Sequence, residues 1–119
     1  MTKVRKNIQN QRLRNLIKEL KQEKGIWKAL GEELNKPNRK RAEVNLHKLN
    51  KEMENGEIAL VPGKVLGYGK LDKDKKIKIA SLNYSNKALQ KIEKTKTKAH
   101  TIEEIKEQNP SKEKMRIIK

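Results

Sequence analysis

Four cationic side chains fall within six residues at Lys36-Pro37-Asn38-Arg39-Lys40-Arg41. A guanidinium can grip a phosphate through two parallel hydrogen bonds, and an ammonium meets one as a compact point charge. Arg41, Asn45 and Lys48 continue the run at i, i+4 and i+7, so on a helix they share one face. Asn45 can then read a base edge or a 2′-hydroxyl beside that phosphate grip. A second cluster, Pro62-Gly63-Lys64-Val65-Leu66-Gly67-Tyr68-Gly69-Lys70, carries three glycines. They let backbone N–H groups approach a phosphate, with Lys64 and Lys70 as charge partners. Tyr68, flanked by glycines, is expected at the surface, where it either stacks on one base or makes a structural hydrogen bond. Blander readings of the same residues are a solvated helix face and a hairpin turn followed by a glycine bend.

The whole-chain balance favours the ligand-binding reading. The 119 residues include 31 basic and 15 acidic side chains, a net charge of +16 spread over both halves. Such a charge attracts polyanions, and phosphate backbones are the commonest of these. The acid-free start, with Lys3, Arg5, Lys6, Arg12 and Arg14, belongs to the same candidate surface. As a transit peptide it lacks serine enrichment, and its apolar pattern runs on into a good helix. One Trp, two Tyr and no Phe leave too few rings for paired stacking platforms, so recognition should run through phosphate and shape contacts.

Catalytic readings fail on residue type and spacing. There is no cysteine, and His47 and His100 are the only histidines, far apart in sequence. A metal or nucleophile site has no partners to build on. Glu103, Glu104 and Glu107 suit the positive end of a helix dipole, and Asp72 and Asp74 are loop charges. The glycine cluster does not make a nucleotide-binding loop. Five residues separate Gly63 from Gly69 where four are needed, and Leu71 stands where Ser or Thr would bind magnesium. Gly67-x-Gly69 lacks the third glycine of a dinucleotide site. The expectation is a non-enzyme with no cofactor, no metal, no small-molecule substrate, no membrane span and no homo-oligomer.

These residues must be held by a small fold. Leu, Ile and Val make up about 23% of the chain, just above the roughly 20% below which highly charged chains stay disordered. A modest core that completes its stabilisation on a partner is expected. Leu13, Leu16, Ile17 and Leu20 form one helical stripe, stopped at Gly25; Ile26, Trp27, Leu30 and Leu34 form a second, ending near Asn35 because Pro37 disfavours helix at Lys36. Trp27 is read as a core anchor. Ala42, Leu46, Leu49 and Met53 predict a third helix, closed by Asn55-Gly56.

The pattern then changes. Glu57–Val61 is a short apolar run, Val61-Pro62-Gly63-Lys64 has type II turn chemistry, and Val65-Leu66 resumes as strand. Asp72–Lys76 reads as a charged loop and Ile77–Leu82 as a buried strand. Ser85 caps a short helix with Ala88, Leu89 and Ile92, and Thr101 with Glu104 makes a capping box. That last helix ends before Asn109-Pro110, and Met115–Ile118 is a final strand. The predicted fold is α/β: N-terminal helices packed on a small mixed α/β domain with short strands. One domain spans 1–119, with a helical part over 1–55 and an α/β part over 56–119. Three helices and a hairpin also describe a winged helix, which makes a DNA-binding regulator the rival reading.

Three stretches together carry a family likeness. They are Lys36-Pro-Asn-Arg-Lys-Arg-Ala-Glu-Val-Asn-Leu-His-Lys-Leu-Asn50, Leu60-Val-Pro-Gly-Lys-Val-Leu-Gly-Tyr-Gly69, and Thr101-Ile-Glu-Glu-Ile105 with Asn109-Pro110. The chain resembles the archaeal and eukaryotic large-subunit ribosomal protein eighteen family, which is related to bacterial large-subunit protein fifteen. Lysine-rich residues stand near 94–100 and 111–114 where the family pattern has glycines. The resemblance implies direct binding to large-subunit ribosomal RNA, neighbouring ribosomal proteins as partners, a cytoplasmic place in the ribosome and no enzymatic activity. Carried over by position, it puts Lys36, Arg39, Lys40, Arg41, Asn45 and Lys48 against RNA, with Lys64 and Lys70 beside them.

Overall fold

The computed structural model describes residues 11–37, 41–108 and 114–119. The chain divides into two compact units, residues 1–41 and 42–119.

The first unit holds two helices, α1 (Gln11–Lys21) and α2 (Ile26–Leu34). Leu13, Leu16, Ile17 and Leu20 of α1 are all buried, as their spacing predicts. Gly25 breaks the chain between the helices with a φ of 67°, a conformation that costs glycine little. The two helices pack closely at Gly31, where an added Cβ would lie 3.0 Å from that of Leu20. Leu30 and Leu34 are buried, whereas Trp27, expected as a core anchor, is half-buried. Pro37 follows the end of α2 as expected.

The second unit is an α/β sheet. Its elements run β1 (Ala42–Asn45), α3 (Leu46–Glu52), β2 (Ile58–Leu66), β3 (Lys78–Tyr84), α4 (Asn86–Glu93), β4 (Lys98–Thr101), α5 (Ile102–Gln108) and β5 (Met115–Ile117). The strand order is β1-β2-β3-β4, and every pairing is parallel. β5 also pairs with β2, along Ile58–Leu60, while β1 pairs further on along Gly63–Leu66. β2 is therefore the hub of the sheet. Its buried run Ile58–Gly63 fits a strand covered on both faces, where alternation disappears. Ala59, Val61 and Val65 join Leu46 and Leu49 of α3 and Ala88 and Ile92 of α4 in one core cluster. Burying each large aliphatic side chain in it contributes roughly 1.5–3 kcal/mol.

Two expectations are overturned. The third helix does not begin at Ala42: residues 42–45 are strand, and α3 covers only Leu46–Glu52. The stripe Ala42, Leu46, Leu49, Met53 is buried or half-buried as read, but its first member faces β2 from a strand. The predicted turn at Pro62-Gly63 is also absent. Both residues lie inside β2, and Gly63 does not take the positive φ that a type II turn requires. The chain instead absorbs one extra residue there. Val61 pairs with Ser81 but Lys64 with Asn83, a bulge that leaves Pro62 no ladder bond to lose. The Ser81 hydroxyl donates to the Gly63 carbonyl at 2.7 Å. With no hairpin and no antiparallel pair among the described residues, the winged-helix reading falls.

The later elements follow their caps. Ser85 accepts from the Ala88 N–H at 3.1 Å and starts α4, although Leu89 points outward, 44% exposed. Thr101 and Glu104 exchange two backbone-to-side-chain bonds of 3.2 Å at the start of α5. This N–H···carboxylate bond is the main reason the Glu104 pKa is lowered. Asn109-Pro110 lies outside the described residues. β5 is held by Glu57, which is buried. The Glu54 N–H donates to its carboxylate at 2.7 Å, and Lys114 Nζ and Arg116 Nη1 approach within 3.5 and 3.6 Å. That hydrogen bond and the two cations lower the Glu57 pKa against the opposing effect of burial.

Candidate nucleic-acid interface

Of the basic cluster at 36–41, the two described cations, Lys36 and Arg41, are both engaged with their own chain. Lys36 Nζ lies 2.7 Å from Glu33 one helical turn away. Arg41 Nε donates to the Leu34 carbonyl at 3.1 Å, at the negative end of α2, and burial lowers its pKa. Arg39 and Lys40 lie outside the described residues, as do Lys3, Arg5 and Lys6. Arg12 is exposed on α1 and Arg14 half-buried. The expected common face of Arg41, Asn45 and Lys48 does not form, because Asn45 ends β1 and only Lys48 sits on α3. Lys48 Nζ instead donates to the backbone oxygen of Lys119.

The second cluster is drawn together at the carboxyl ends of β1 and β2, the end of an open parallel sheet where ligands ordinarily bind. Lys64 is exposed near the end of β2 and pairs in register with Glu43. Beyond Leu66 the chain bends through Gly67-Tyr68-Gly69, and both glycines are required by packing. An added Cβ at Gly67 would lie 2.8 Å from the Lys87 and Ala88 backbone in the first turn of α4. One at Gly69, whose φ is +86°, would lie 2.3 Å from the His47 Cβ of α3. Close approach of two helices therefore accounts for both of these glycines. The bend is tied on both sides: the His47 N–H donates to the Tyr68 carbonyl at 3.2 Å, and Lys91 Nζ donates to the Gly69 carbonyl at 2.8 Å. Held there, Tyr68 is 72% exposed.

Beside this bend runs a groove of about 410 Å³ lined by Lys70, Lys73, Lys91 and Lys94 over buried Leu71. Lys73, Lys87, Lys91 and Lys94 were not among the predicted site residues. Their signal is present in the sequence: Lys87, Lys91 and Lys94 follow Ser85 at i, i+4 and i+7, one basic face of the helix that Ser85 caps. Among the described residues no group of three or more metal-binding side chains occurs, and no helix is long and apolar enough to cross a membrane.

Curated relatives match along nearly the whole chain. It is 44% identical over 115 residues to the large ribosomal subunit protein eL18 of Methanoregula boonei, covering 92% of this chain and 93% of that one. The chain belongs to the eL18 family. The eL18 of Methanothermobacter thermautotrophicus is 40% identical over 107 residues, covering 89% and 87% of the two chains. That of Sulfurisphaera tokodaii is 39% identical over 105 residues, covering 85% and 86%. No family model matches the chain. In this eL18 member the two long sequence motifs, 36–50 and 60–69, meet where β1 and α3 abut the 67–69 bend.

Proposed function

We propose that this chain is a structural constituent of the large ribosomal subunit, where it binds ribosomal RNA mainly through phosphate and shape contacts. The observation that carries this reading is the 44% identity across 93% of a protein named for the large subunit. A net charge of +16 on 119 residues supports it, since a phosphate environment relieves the self-repulsion that opposes compaction. The role is architectural and not catalytic, and its place is the cytoplasmic ribosome, among ribosomal RNA and neighbouring ribosomal proteins. Lys64, Tyr68 and Lys70 are the RNA-facing candidates of the sheet unit. Arg12, Arg14, Lys36 and Arg41 are those of the helical unit, together with Arg39, Lys40 and the basic start. Asn45 and Lys48 contribute from the β1–α3 junction. The test is sedimentation: the protein cosediments with large subunits and resists a moderate salt wash. Recovery only in the soluble fraction, or only on duplex DNA, overturns the reading.

A further inference from the structure

The geometry points to a site for one unpaired RNA nucleotide, with its phosphate in the lysine groove between residues 69–73 and α4 and a base stacked on Tyr68. This inference rests on the RNA-binding reading above and adds the kind of RNA that this surface selects. The groove is built before any ligand arrives. Lys91 holds the Gly69 carbonyl at 2.8 Å, and the Asp72 N–H donates to Asn50 Oδ1 at 3.0 Å. The Lys96 N–H donates to the Lys73 carbonyl at 3.1 Å. Its volume, about 410 Å³, falls within the roughly 300–1,000 Å³ of small-ligand clefts.

Its charge is of one sign. No acid lines it: Asp72, 3.8 Å from Lys70 Nζ, is not in the lining and forms an ion pair exposed on both sides. Such a pair is weak and exchanges readily for a phosphate. Tyr68 immediately precedes Gly69, which lines the groove, so the two backbones are about 3.8 Å apart. The exposed ring is thus anchored on the residue next to the groove, where a base stacked on it and that nucleotide's own phosphate can engage both. A base inside a continuous duplex has its faces covered by its neighbours, so only an unstacked base can meet the ring. The other groove of comparable size, near Lys76, Lys78 and Lys98, has an acidic residue, Glu57, in its lining and no exposed ring beside it among the described residues.

The test uses the full chain and two RNA hairpins that differ only by one bulged adenosine in the stem. Tyr68→Ala should weaken binding to the bulged hairpin by fivefold or more, as loss of one base–aromatic stack does, and leave the perfect stem nearly unchanged. Tyr68→Phe, which keeps the ring, should bind both as the parent does. Lys70→Gln/Lys73→Gln/Lys94→Gln, which spares the structural Lys91, should reduce the salt slope on the bulged hairpin by about 0.7–0.9 per phosphate released. Equal effects of Tyr68→Ala on both hairpins, or none on either, overturn the inference while leaving the RNA-binding reading intact. Displacement of the bulged RNA by poly-glutamate at matched charge overturns it in favour of an acidic protein segment. Failure of the parent chain to bind either hairpin overturns the RNA-binding reading and this inference with it.

Discussion

Gly63→Ala tests the placement of β1 more sharply than any other substitution. The new methyl carbon would lie 1.9 Å from the Ala42 carbonyl oxygen, 2.9 Å from its carbon and 3.1 Å from its nitrogen. A carbon and an oxygen that do not bond approach to about 3.3 Å, so β1 would have to retreat by more than about 1 Å. Ladder hydrogen bonds already near 3 Å do not survive that opening. β1 pairs through only four residues, Ala42–Asn45, and has no slack along its length to absorb the shift. Overpacking costs roughly 1–3 kcal/mol, and each ladder bond lost adds about 1 kcal/mol. A total near 3 kcal/mol lowers the melting temperature of a unit this size by about 12 °C or more. Backbone strain contributes nothing, because Gly63 is not among the positive-φ glycines. Gly56→Ala isolates the opposite case: its φ is +90°, but nothing lies within 4 Å of the new carbon. It should cost about 1–2 kcal/mol. Thermal unfolding followed by circular dichroism ranks the two. A Gly63→Ala protein that melts within about 2 °C of the parent, or above Gly56→Ala, refutes the parallel pairing of β1 with β2.

Two further outcomes follow from charges described above. The folded-state pKa of Glu57 is depressed, so the stability it contributes is present above its unfolded value of about 4.3 and is lost as the pH falls through the lower folded value. Glu57→Gln should therefore lower the melting temperature near neutrality and reduce its fall on acidification to about pH 3; a pH profile parallel to that of the parent would remove Glu57 as the cause. Arg39→Ala/Arg41→Ala should lower RNA affinity and flatten its salt dependence, by about 0.9 per phosphate contact on a duplex. Melting of the same variant reports separately the loss of the Arg41 bond to the Leu34 carbonyl, and an unchanged salt slope would mean that the cluster makes no phosphate contact.

Elements whose cause is local were legible in the sequence. The stripe of α1, the Ser85 cap and the Thr101–Glu104 box all depend on residues within a turn or two of one another. The errors arise where a distant partner decides. Ala42-Glu43-Val44-Asn45 is too short to show strand alternation, and Ala42 continues the helical spacing of Leu46, Leu49 and Met53. Only β2, some twenty residues later, makes it a strand. Pro62-Gly63 has local turn chemistry, but flanking strands on both sides hold it extended, and the glycine serves contact with Ala42 instead of a positive φ. The candidate site divides in the same way. Tyr68 was legible as an exposed ring because glycines flank it. The shared helical face of Arg41, Asn45 and Lys48 depended on the misread helix and went with it. The lysines of α4 were visible as a face but had no evident partner until the 69–73 segment was placed beside them.

The hub position of β2 has a consequence for the timing of folding. Ile58–Leu60, inside the apolar run Ile58–Val61, receives β5 from residues 115–117, so that stretch keeps an unpaired edge until one of the most distant segments of the unit docks. Pairings between segments so far apart in sequence close slowly. An apolar strand with a bare edge is a template for other chains in the meantime. The interval before β5 arrives is thus the one in which a newly made copy is most exposed to self-association. Once β5 docks, Glu57 holds Lys114 and Arg116 beside the start of β2 and helps to keep that edge covered.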